Sequence, residues 1–380
     1  MRHPLVPLLH RVTAGALVLA GSWTASGGPA AASAAPPAPE ASRVAFTERY
    51  HALQHGGIVR AANASISCRA AGAAGGSRAA RDACSAARSG GTGVNGRFDT
   101  EYIDVDRDPN TYNSSRAEVR LPKGARVSYA RLYWGGNLRV GEQKPAKDDG
   151  RVLIAEPGGE YKEVLADTVV GHQVTSGADA FQASADVTEL VRGSRPGLYM
   201  VAQVNVAGGR SAAGAWGGWT LVVAYENKAE PLRHLAVWDG FEAIGAAGRE
   251  FRLPGLRFPA RAGGRAGLVT YDGDRGVTGD TLTLRTSRTK KAGQRPRTTV
   301  TRLSDRYNPR DDVLNSTISE PGKAAPRRVP AYTNTLGYDS DVFDLRRGLR
   351  DGGDRLAFRL ASRRDVVWAG ALFAAVDAKR

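Results

Sequence analysis

The feature that most constrains this chain is a succession of short apolar and β-branched runs separated by turn-forming residues. From about residue 98 onward, runs of four to eight residues alternate with Gly, Asp, Asn and Pro. No long segment keeps a helical period, and only residues 186–192 and 341–350 are patterned for short helices. This pattern predicts an all-β chain built from antiparallel β-sandwiches, jelly-roll-like, rather than a β-α-β sheet. The clearest predicted strands are residues 126–134, 197–206, 219–225, 234–238, 267–271, 281–285, 355–360 and 366–376.

A repeated octapeptide indicates that one unit is built twice. The sequence DVTELVRG at 186–193 aligns with DVFDLRRG at 341–348, an offset of 155 residues, and apolar strands follow each copy. We therefore predict two related sandwich units packed together, over 95–240 and 241–380, each near the usual domain size of about 100–150 residues. Residues 36–94 are then expected to form a flexible leader and a disulfide-stapled segment. Chance similarity between β-rich segments is the alternative.

The first 35 residues have the pattern of a secretory signal peptide. A basic start (Arg2, Arg11) precedes an apolar core at 12–20 and small residues at 30–35. No later run of 18 or more apolar residues exists, which excludes a polytopic membrane protein. We expect a secreted chain with no membrane contact after cleavage, and a retained N-terminal anchor is the alternative. Cleavage removes two arginines and no acid, so the net charge falls from +15 to +13.

The two cysteines, Cys68 and Cys84, are expected to form a disulfide. Exported proteins meet oxidising conditions in which such a pair is stable. A catalytic dithiol is the alternative, but the sequence has no C-x-x-C motif. Closing a loop of this length stabilises the fold by about 3 kcal/mol in the chain-entropy model.

Asp-rich turns are candidates for calcium sites. Calcium prefers six to eight oxygen ligands, and clustered carboxylates with turn carbonyls supply them. None of these turns matches the EF-hand pattern, and the alternative is that Asp simply closes turns. A third turn, 339–344, is also acidic. The candidate ligands are Asp104, Asp106 and Asp108 in the first turn, and Asp272, Asp274 and Asp280 in the second.

A basic block at 285–302 is the clearest charge feature. It contains no acid, and such a block is typical of a solvated loop that adsorbs to polyanions, with a plain hairpin tip as the alternative. No nucleic-acid-binding motif accompanies it, so we expect no sequence-specific nucleic-acid recognition. Its basic residues are Arg285, Arg288, Lys290, Lys291, Arg295, Arg297 and Arg302.

Among the aromatic residues, Trp216 is the candidate for stacking on a sugar ring. Its neighbours are Gly and Ala, which would leave the indole exposed. Core packing is the alternative, and it is the ordinary role of a tryptophan at the end of an apolar strand.

Sequence motifs for catalysis are absent. The chain has no G-x-S-x-G, H-E-x-x-H or Walker motif. His51 and His55, with Glu48 nearby, have helical spacing but match no metal motif, and a surface pair is favoured. A glycosidase needs two carboxylates whose separation the sequence does not give, so a carbohydrate-active hydrolase or lyase stays open.

Ten short motifs together resemble an uncharacterised family of secreted, cell-surface domains of actinobacteria and other bacteria. Members of that family often precede Ig-like repeat stalks, and the resemblance implies an extracellular β-sandwich module with no established catalytic residue. The motifs are DVD at 104–106, YNSS at 112–115, LPKGARV at 121–127, ARLYWGG at 130–136, GGWTLVVAYE at 217–226, PLRHL at 231–235, DGF at 239–241, GDRGVTGD at 273–280, LSDRYNP at 303–309 and NSTIS at 315–319.

These observations favour a secreted, non-enzymatic protein with a binding or structural role outside the cell, stabilised by calcium if one of the Asp turns binds it. The alternatives are a carbohydrate-active hydrolase or lyase, and a wall-associated protein that adsorbs to an anionic polymer. The sequence predicts no oligomeric state.

Overall fold

The computed structural model describes residues 38–41, 44–69, 77–253, 255–289 and 297–379. Residues 36–380 form one compact unit. The predicted signal peptide, residues 1–35, lies outside the described residues. No helix of the described segments is long and apolar enough to cross a membrane.

The protein is all-β, as predicted, with 51% of the described residues in strands and 8% in helices. The described helices are α1 (Arg78–Arg88), α2 (Thr188–Arg192) and α3 (Arg346–Leu349), and single 3-10 turns form at Asn95–Arg97 and Ala146–Asp148. The described strands are β1 (Glu40–Ala41), β2 (Val44–Ala64), β3 (Ile66–Cys68), β4 (Thr100–Tyr102), β5 (Ser114–Val119), β6 (Arg126–Asn137), β7 (Arg151–Ala155), β8 (Lys162–Leu165), β9 (Thr168–Thr175), β10 (Ala178–Asp186), β11 (Gly197–Ala202), β12 (Gly217–Glu226), β13 (Leu232–Ile244), β14 (Arg249–Leu253), β15 (Gly264–Tyr271), β16 (Thr281–Arg288), β17 (Arg297–Leu303), β18 (Ile318–Glu320), β19 (Lys323–Ala324), β20 (Arg328–Val329), β21 (Tyr338–Asp344), β22 (Arg355–Ala361) and β23 (Val367–Asp377).

A twelve-stranded sheet runs through the whole molecule. Its strand order is β1-β9-β10-β6-β12-β2-β13-β23-β15-β21-β18-β19, and only the β1–β9 and β18–β21 pairs are parallel. A five-stranded sheet (β20-β5-β11-β7-β8), a four-stranded sheet (β14-β22-β16-β17) and the β3–β4 pair complete the described strands.

Two cores place the two smaller sheets against opposite halves of the large sheet. The first core packs Trp134 and Trp219 of the large sheet against Ile154 and Tyr199 of the five-stranded sheet. The second packs strands β13, β15 and β23 against Leu284 of β16 and other apolar residues of the four-stranded sheet. The molecule therefore contains two β-sandwiches.

A third core lies on the opposite face of the large sheet. Along β12, Trp219, Leu221 and Val223 belong to the first core, whereas Val222 and Ala224 belong to the third. Because the sheet is buried on both faces here, β12 is a continuous apolar run rather than an alternating one. The third core brings residues of β12 together with residues of β15, β21 and β23.

Hydrogen bonds inside this third core tie the two halves together. Thr220 Oγ1 lies 2.7 Å from the Tyr338 hydroxyl and donates to Ser340 Oγ at 3.0 Å. Gln182 Nε2 donates to the carbonyl of Gly370 at 3.1 Å. These buried polar groups are satisfied by one another, so they add specificity to an otherwise apolar interface.

The two halves have the same strand order. In the large sheet, β10-β6-β12-β2 is mirrored by β21-β15-β23-β13, and in the smaller sheets β5-β11-β7-β8 is matched by β14-β22-β16-β17. The short helices α2 and α3 occupy equivalent places, since α2 directly follows β10 and α3 directly follows β21. The repeat predicted from the sequence is thus present in the topology.

The structure shifts the sequence alignment behind that prediction by three residues. Asp186 and Asp344 each accept a hydrogen bond at 2.8 Å from the backbone N–H two residues later, at the start of α2 and α3. The equivalent offset is therefore 158 residues, from Asp186 to Asp344, rather than 155. Each turn keeps an aspartate that caps it and an apolar residue directly after that aspartate.

The prediction of a flexible leader within residues 36–94 is wrong, because strand β2 occupies Val44–Ala64. Its first part pairs with β13 and its second part with β12, so it lies in the middle of the large sheet. The crossing point is Gly56, where a Cβ would meet the Tyr225 carbonyl oxygen at 1.9 Å. Strand β13 also runs across the predicted boundary at 240/241. The two sandwiches share a sheet, so neither boundary separates independent domains.

The predicted disulfide between Cys68 and Cys84 is confirmed. It joins the end of β3 to the middle of α1, and both cysteines are buried. Helix α1 begins where the Ser77 side chain accepts a hydrogen bond from the Ala80 N–H. Near its end, Arg88 donates to Glu101 at 2.8 Å and lies over the Tyr332 ring at 4.6 Å. The helix is therefore attached to the rest of the molecule at its middle, through the disulfide, and at its end, through Arg88.

Replacing both Cys68 and Cys84 by serine should lower the free energy of unfolding by about 3 kcal/mol, because the unfolded chain regains loop entropy. The sequence separation of the pair is 16 residues. Urea denaturation of both proteins measures the difference. Ser85→Ala, at an exposed position on the same helix, should change stability by no more than about 0.5 kcal/mol. An unchanged unfolding midpoint in the double variant would contradict the assigned role of this bond.

Candidate functional site

The first candidate calcium turn uses its carboxylates to close the backbone. Asp104 accepts a hydrogen bond from Ser114 Oγ at 2.8 Å, and Asp108 accepts one from the Asn110 N–H at 2.9 Å. Asp106 accepts from the Asp108 N–H at 3.1 Å and from the Tyr161 hydroxyl. These contacts match the turn-closing alternative. Within the described ranges, no group of three or more His, Cys, Asp or Glu side chains is arranged to hold a metal ion.

The second candidate turn belongs to a larger set of aspartates, which we call the buried acid cluster. The set comes from the loop after β15, the segment before β18, the start of β21 and the loop after β22. All are buried except Asp365, which is partly exposed. The sequence pattern indicates the 272–280 and 339–344 turns separately, but it does not indicate that they lie together or that Asp312 and Asp365 join them, because these segments are distant along the chain. The cluster consists of Asp272, Asp274, Asp280, Asp312, Asp339, Asp341 and Asp365.

The polar contacts of the cluster are incomplete. Asn95 donates its backbone N–H to Asp274 at 2.7 Å and its side-chain amide to Asp272 at 2.6 Å. The Ser319 N–H donates to Asp341 at 2.8 Å. One carboxyl oxygen of each of four members has no hydrogen-bond partner among the described residues, namely Asp280, Asp312, Asp339 and Asp365.

Burial changes the ionisation of these groups. Removal from water, followed by the neighbouring carboxyls, raises the pKa of Asp274 to about 8 and that of Asp280 to about 7. The same causes raise the pKa values of Asp272 and Asp339 well above the ordinary value. At neutral pH Asp272, Asp274 and Asp339 are therefore mostly protonated, whereas Asp365, whose pKa is raised to about 6, is mostly ionised.

One open cleft contains two carboxylates, which a glycosidase would need. This cleft, of about 680 Å³, is lined by Glu230 and Asp344 among other residues. Glu230 pairs with Arg233 at 2.8 Å and Asp344 pairs with Arg346 at 2.6 Å. Burial raises the pKa of Asp344, but the hydrogen bonds from Arg346 outweigh this and lower it. Both carboxylates are therefore held in ion pairs with neighbouring arginines.

The prediction that Trp216 is exposed is wrong. Its side chain is 0% exposed and lies in the third core, with ring centroids 5.0 Å from Trp368 and 5.9 Å from Tyr271. The small neighbours make room for close packing instead of exposure. At Gly337, for example, an added Cβ would lie 2.5 Å from the Trp216 Cβ. Trp216 has no surface on which a sugar could stack.

The two histidines with helical spacing lie on strand β2. His55 Nδ1 lies 2.7 Å from the Glu230 carbonyl oxygen, and His51 stacks on His234 with ring centroids 5.7 Å apart. Because a strand has a period of two residues, the helical spacing has no meaning here.

The basic block forms the β16–β17 hairpin, and its members have different surroundings. Lys290, Lys291 and Arg295 lie outside the described residues. Arg288 donates to the Asp351 carbonyl at 2.9 Å, and Arg297 lies 3.7 Å from the Asp351 carboxylate. Arg285 and Arg302 instead point outward from the four-stranded sheet.

These two arginines share that outer surface with three others, which the sequence analysis missed. On each of the four strands the Leu and Phe side chains face the second core, so the alternate residues face outward. Across the sheet, Arg359 and Arg302 flank Thr283, and Arg252 and Arg285 flank Ala357. We call this surface the basic sheet face, defined by Arg252, Arg285, Arg302, Arg355 and Arg359.

Glu250 is the one acidic residue among the outward positions of these four strands. Its carboxylate lies 2.8 Å from Arg252 and 3.9 Å from Arg285. The side chains of these two arginines are 84% and 59% exposed, so they keep access to solvent. Neighbouring strands lie about 4.8 Å apart. The face is therefore an array of cations on one side of a sheet, with an excess of four positive charges.

Comparison with known proteins gives little beyond the fold. No protein-family model matches the chain, and no curated protein matches it. Among solved structures, the chain is similar to the major capsid protein P2 of bacteriophage PM2, with 12% sequence identity, coverage of 72% of this chain and 95% of that chain, and a TM-score of 0.20. The architecture described above rests on the strand order and the cores, and no function is transferred from that protein.

Proposed function

We propose that the protein is an exported, non-enzymatic binding protein that adsorbs to an acidic polysaccharide outside the cell. The observation that carries this proposal is the basic sheet face. Five arginines project from one side of a single sheet with a single acidic residue among them. A repetitive, cationic surface suits a polymer, whose charges repeat along its length, better than a compact substrate.

The remaining features support an extracellular setting. A buried disulfide is stable in oxidising compartments. The signal pattern of residues 1–35 and the resemblance to secreted surface domains point the same way. The absence of catalytic motifs and the ion pairing of the two cleft carboxylates favour binding over hydrolysis.

Removing charge from the face should remove polymer binding. We expect the variant Arg285→Gln/Arg302→Gln/Arg359→Gln to lose at least about tenfold in affinity for polygalacturonate, because each exposed charge contact is electrostatic and these act together. Neither protein should be retained by neutral dextran. The affinity is measured by titrating each protein over surface-immobilised polygalacturonate.

A variant with the same loss of charge elsewhere provides the control. Arg126, Arg151 and Arg192 are 76%, 54% and 41% exposed and lie in the first half of the chain. Their triple replacement by glutamine should leave most of the affinity intact. Equal loss in both variants would mean that only net charge matters, and full binding by the sheet-face variant would reject the proposal. Preferential binding to double-stranded DNA would replace the polysaccharide as the ligand.

A further inference from the structure

A further cleft shares no residue with the basic sheet face. It is a cleft of about 620 Å³ between helix α1, the turn at residues 92–99 and the loop at residues 275–277. Volumes of about 300–1,000 Å³ are typical of sites for small molecules. Neither the sequence motifs nor the proposed polymer-binding surface uses this cleft.

Arginines dominate its charge. The lining includes five of them, with Asp99 as the one carboxylate among the lining residues. Four of the five, all but Arg81, form no ion pair with a carboxylate of the described segments. The arginines are Arg69, Arg81, Arg97, Arg210 and Arg275.

Two of these side chains are held in place while most of their donors stay available. Arg69 donates to the Thr100 carbonyl at 3.2 Å, and Arg275 donates to the Thr333 carbonyl at 3.4 Å. A guanidinium has five N–H donors and matches carboxylate and phosphate groups bidentately. Cations fixed in this way are suited to bind an anion.

Two acids lie behind the cleft, and burial raises the pKa of each. Asp274 accepts the Asn95 N–H at 2.7 Å, and its pKa is raised to about 8, so this carboxyl is largely neutral at pH 7. Asp312 accepts the Gly276 N–H at 3.0 Å, and burial raises its pKa as well. The five lining arginines outnumber these two acids and Asp99, so the cleft keeps an excess of positive charge.

Most of the remaining lining is apolar. It includes Ala80, Ala83 and Ala86 of α1, together with Val94, Phe98 and Val277. Phe98 packs on the small core that contains the disulfide and Leu336. An apolar floor with a cationic rim fits a ligand that has both characters.

We propose that this cleft binds an organic anion with an aromatic or aliphatic body and one or two carboxylate, phosphate or sulfate groups. The apolar body lies against α1 and Phe98, and the anionic groups meet the four arginines that form no ion pair within the described segments, Arg69, Arg97, Arg210 and Arg275. Binding here is independent of the basic sheet face. It depends on the disulfide, because Cys84 holds the helix that forms one wall.

The probe is 8-anilinonaphthalene-1-sulfonate, with the uncharged N-phenyl-1-naphthylamine as its partner, titrated into the oxidised full chain by fluorescence. Arg97→Gln/Arg210→Gln should weaken binding of the sulfonate about tenfold and leave the neutral dye unchanged. Ala83→Trp fills the cleft without changing charge and should weaken both dyes. Both arginines and Ala83 are exposed, so the variants should keep the thermal midpoint of the parent protein.

Variants at the other surface separate this proposal from the proposed function. Arg252→Gln/Arg359→Gln should keep the binding of both dyes while losing affinity for polygalacturonate. Arg97→Gln/Arg210→Gln and Ala83→Trp should instead weaken binding of the sulfonate and keep the affinity for polygalacturonate. Reduction of the disulfide should weaken dye binding. Sulfonate binding that survives both Arg97→Gln/Arg210→Gln and Ala83→Trp would overturn the proposal, as would equal weakening by the sheet-face variant.

Discussion

Replacing Trp216 by alanine is expected to lower the free energy of unfolding by about 4 kcal/mol. Its indole is fully buried between Trp368 and Tyr271 in the core that joins the two sandwiches. Removing a large aromatic side chain from such a position loses its apolar burial and leaves a cavity, at a typical cost of about 3–5 kcal/mol. Urea denaturation followed by circular dichroism measures the loss.

Two further variants show whether packing is the cause. Trp216→Phe keeps part of the volume and should lose less, about 1–3 kcal/mol. Leu53→Ala removes a side chain from a residue that is 57% exposed and should lose no more than about 0.5 kcal/mol. If Trp216→Ala instead kept the parental stability and lost binding to a sugar polymer, the result would support the interpretation that Trp216 stacks on a sugar ring.

Stability should fall as the pH rises from about 5 to 8. In the folded chain the pKa of Asp274 is raised to about 8, those of Asp280 and Asp341 to about 7, and that of Asp365 to about 6. The pKa of an aspartate in the unfolded chain is about 3.9. Between that pH and the raised pKa values of the folded chain, the native state therefore holds more protons than the unfolded state. The unfolding free energy then decreases with pH. Below about pH 4 both states are protonated and the full contribution is present.

The substitution Asp274→Asn should flatten this profile. An amide carries no charge to desolvate, so the variant should exceed the parent protein by about 1–3 kcal/mol at pH 8 and match it near pH 4. Thermal melts over this range give the measurement. Asp82→Asn, at a carboxylate that is 73% exposed on α1, should leave the profile unchanged. Stability that rises between pH 5 and 8 would contradict the assigned ionisation.

The same melts test the calcium prediction for Asp272, Asp274 and Asp280. A bound divalent cation favours the ionised carboxylates, so calcium would raise the melting temperature at pH 8 and cancel the loss with pH. The effect would disappear in Asp274→Asn. Equal melting temperatures with calcium and with a chelator would show that the cluster does not bind calcium.

The sequence allowed the fold class to be predicted because its strongest signals are local. Turn residues at short intervals and the apolar runs at 219–225 and 366–376 lie where β12 and β23 are found. Strand β2 was missed because its first part is only half-buried and its polar residues do not resemble a central strand. Its position depends on pairing with β12 and β13, which lie more than 150 residues away in the chain.

The candidate surfaces were harder to predict for the same reason. The contiguous block 285–302 drew attention to the hairpin, yet the basic sheet face takes one or two residues from each of four strands. Arg355 and Arg359 could have been found, since they alternate with Leu356 and Phe358 in a strand. Trp216 shows the opposite difficulty, because small neighbours indicate either exposure or tight packing and only the tertiary structure decides.

The salt dependence of polygalacturonate binding tests the central claim most directly. The logarithm of the association constant, plotted against the logarithm of salt concentration, should have a steep negative slope for the parent protein. In Arg285→Gln/Arg302→Gln/Arg359→Gln the magnitude of that slope should fall by about 2–3, roughly one for each contact removed. A slope that is the same in both proteins would show that the polymer does not bind to this face.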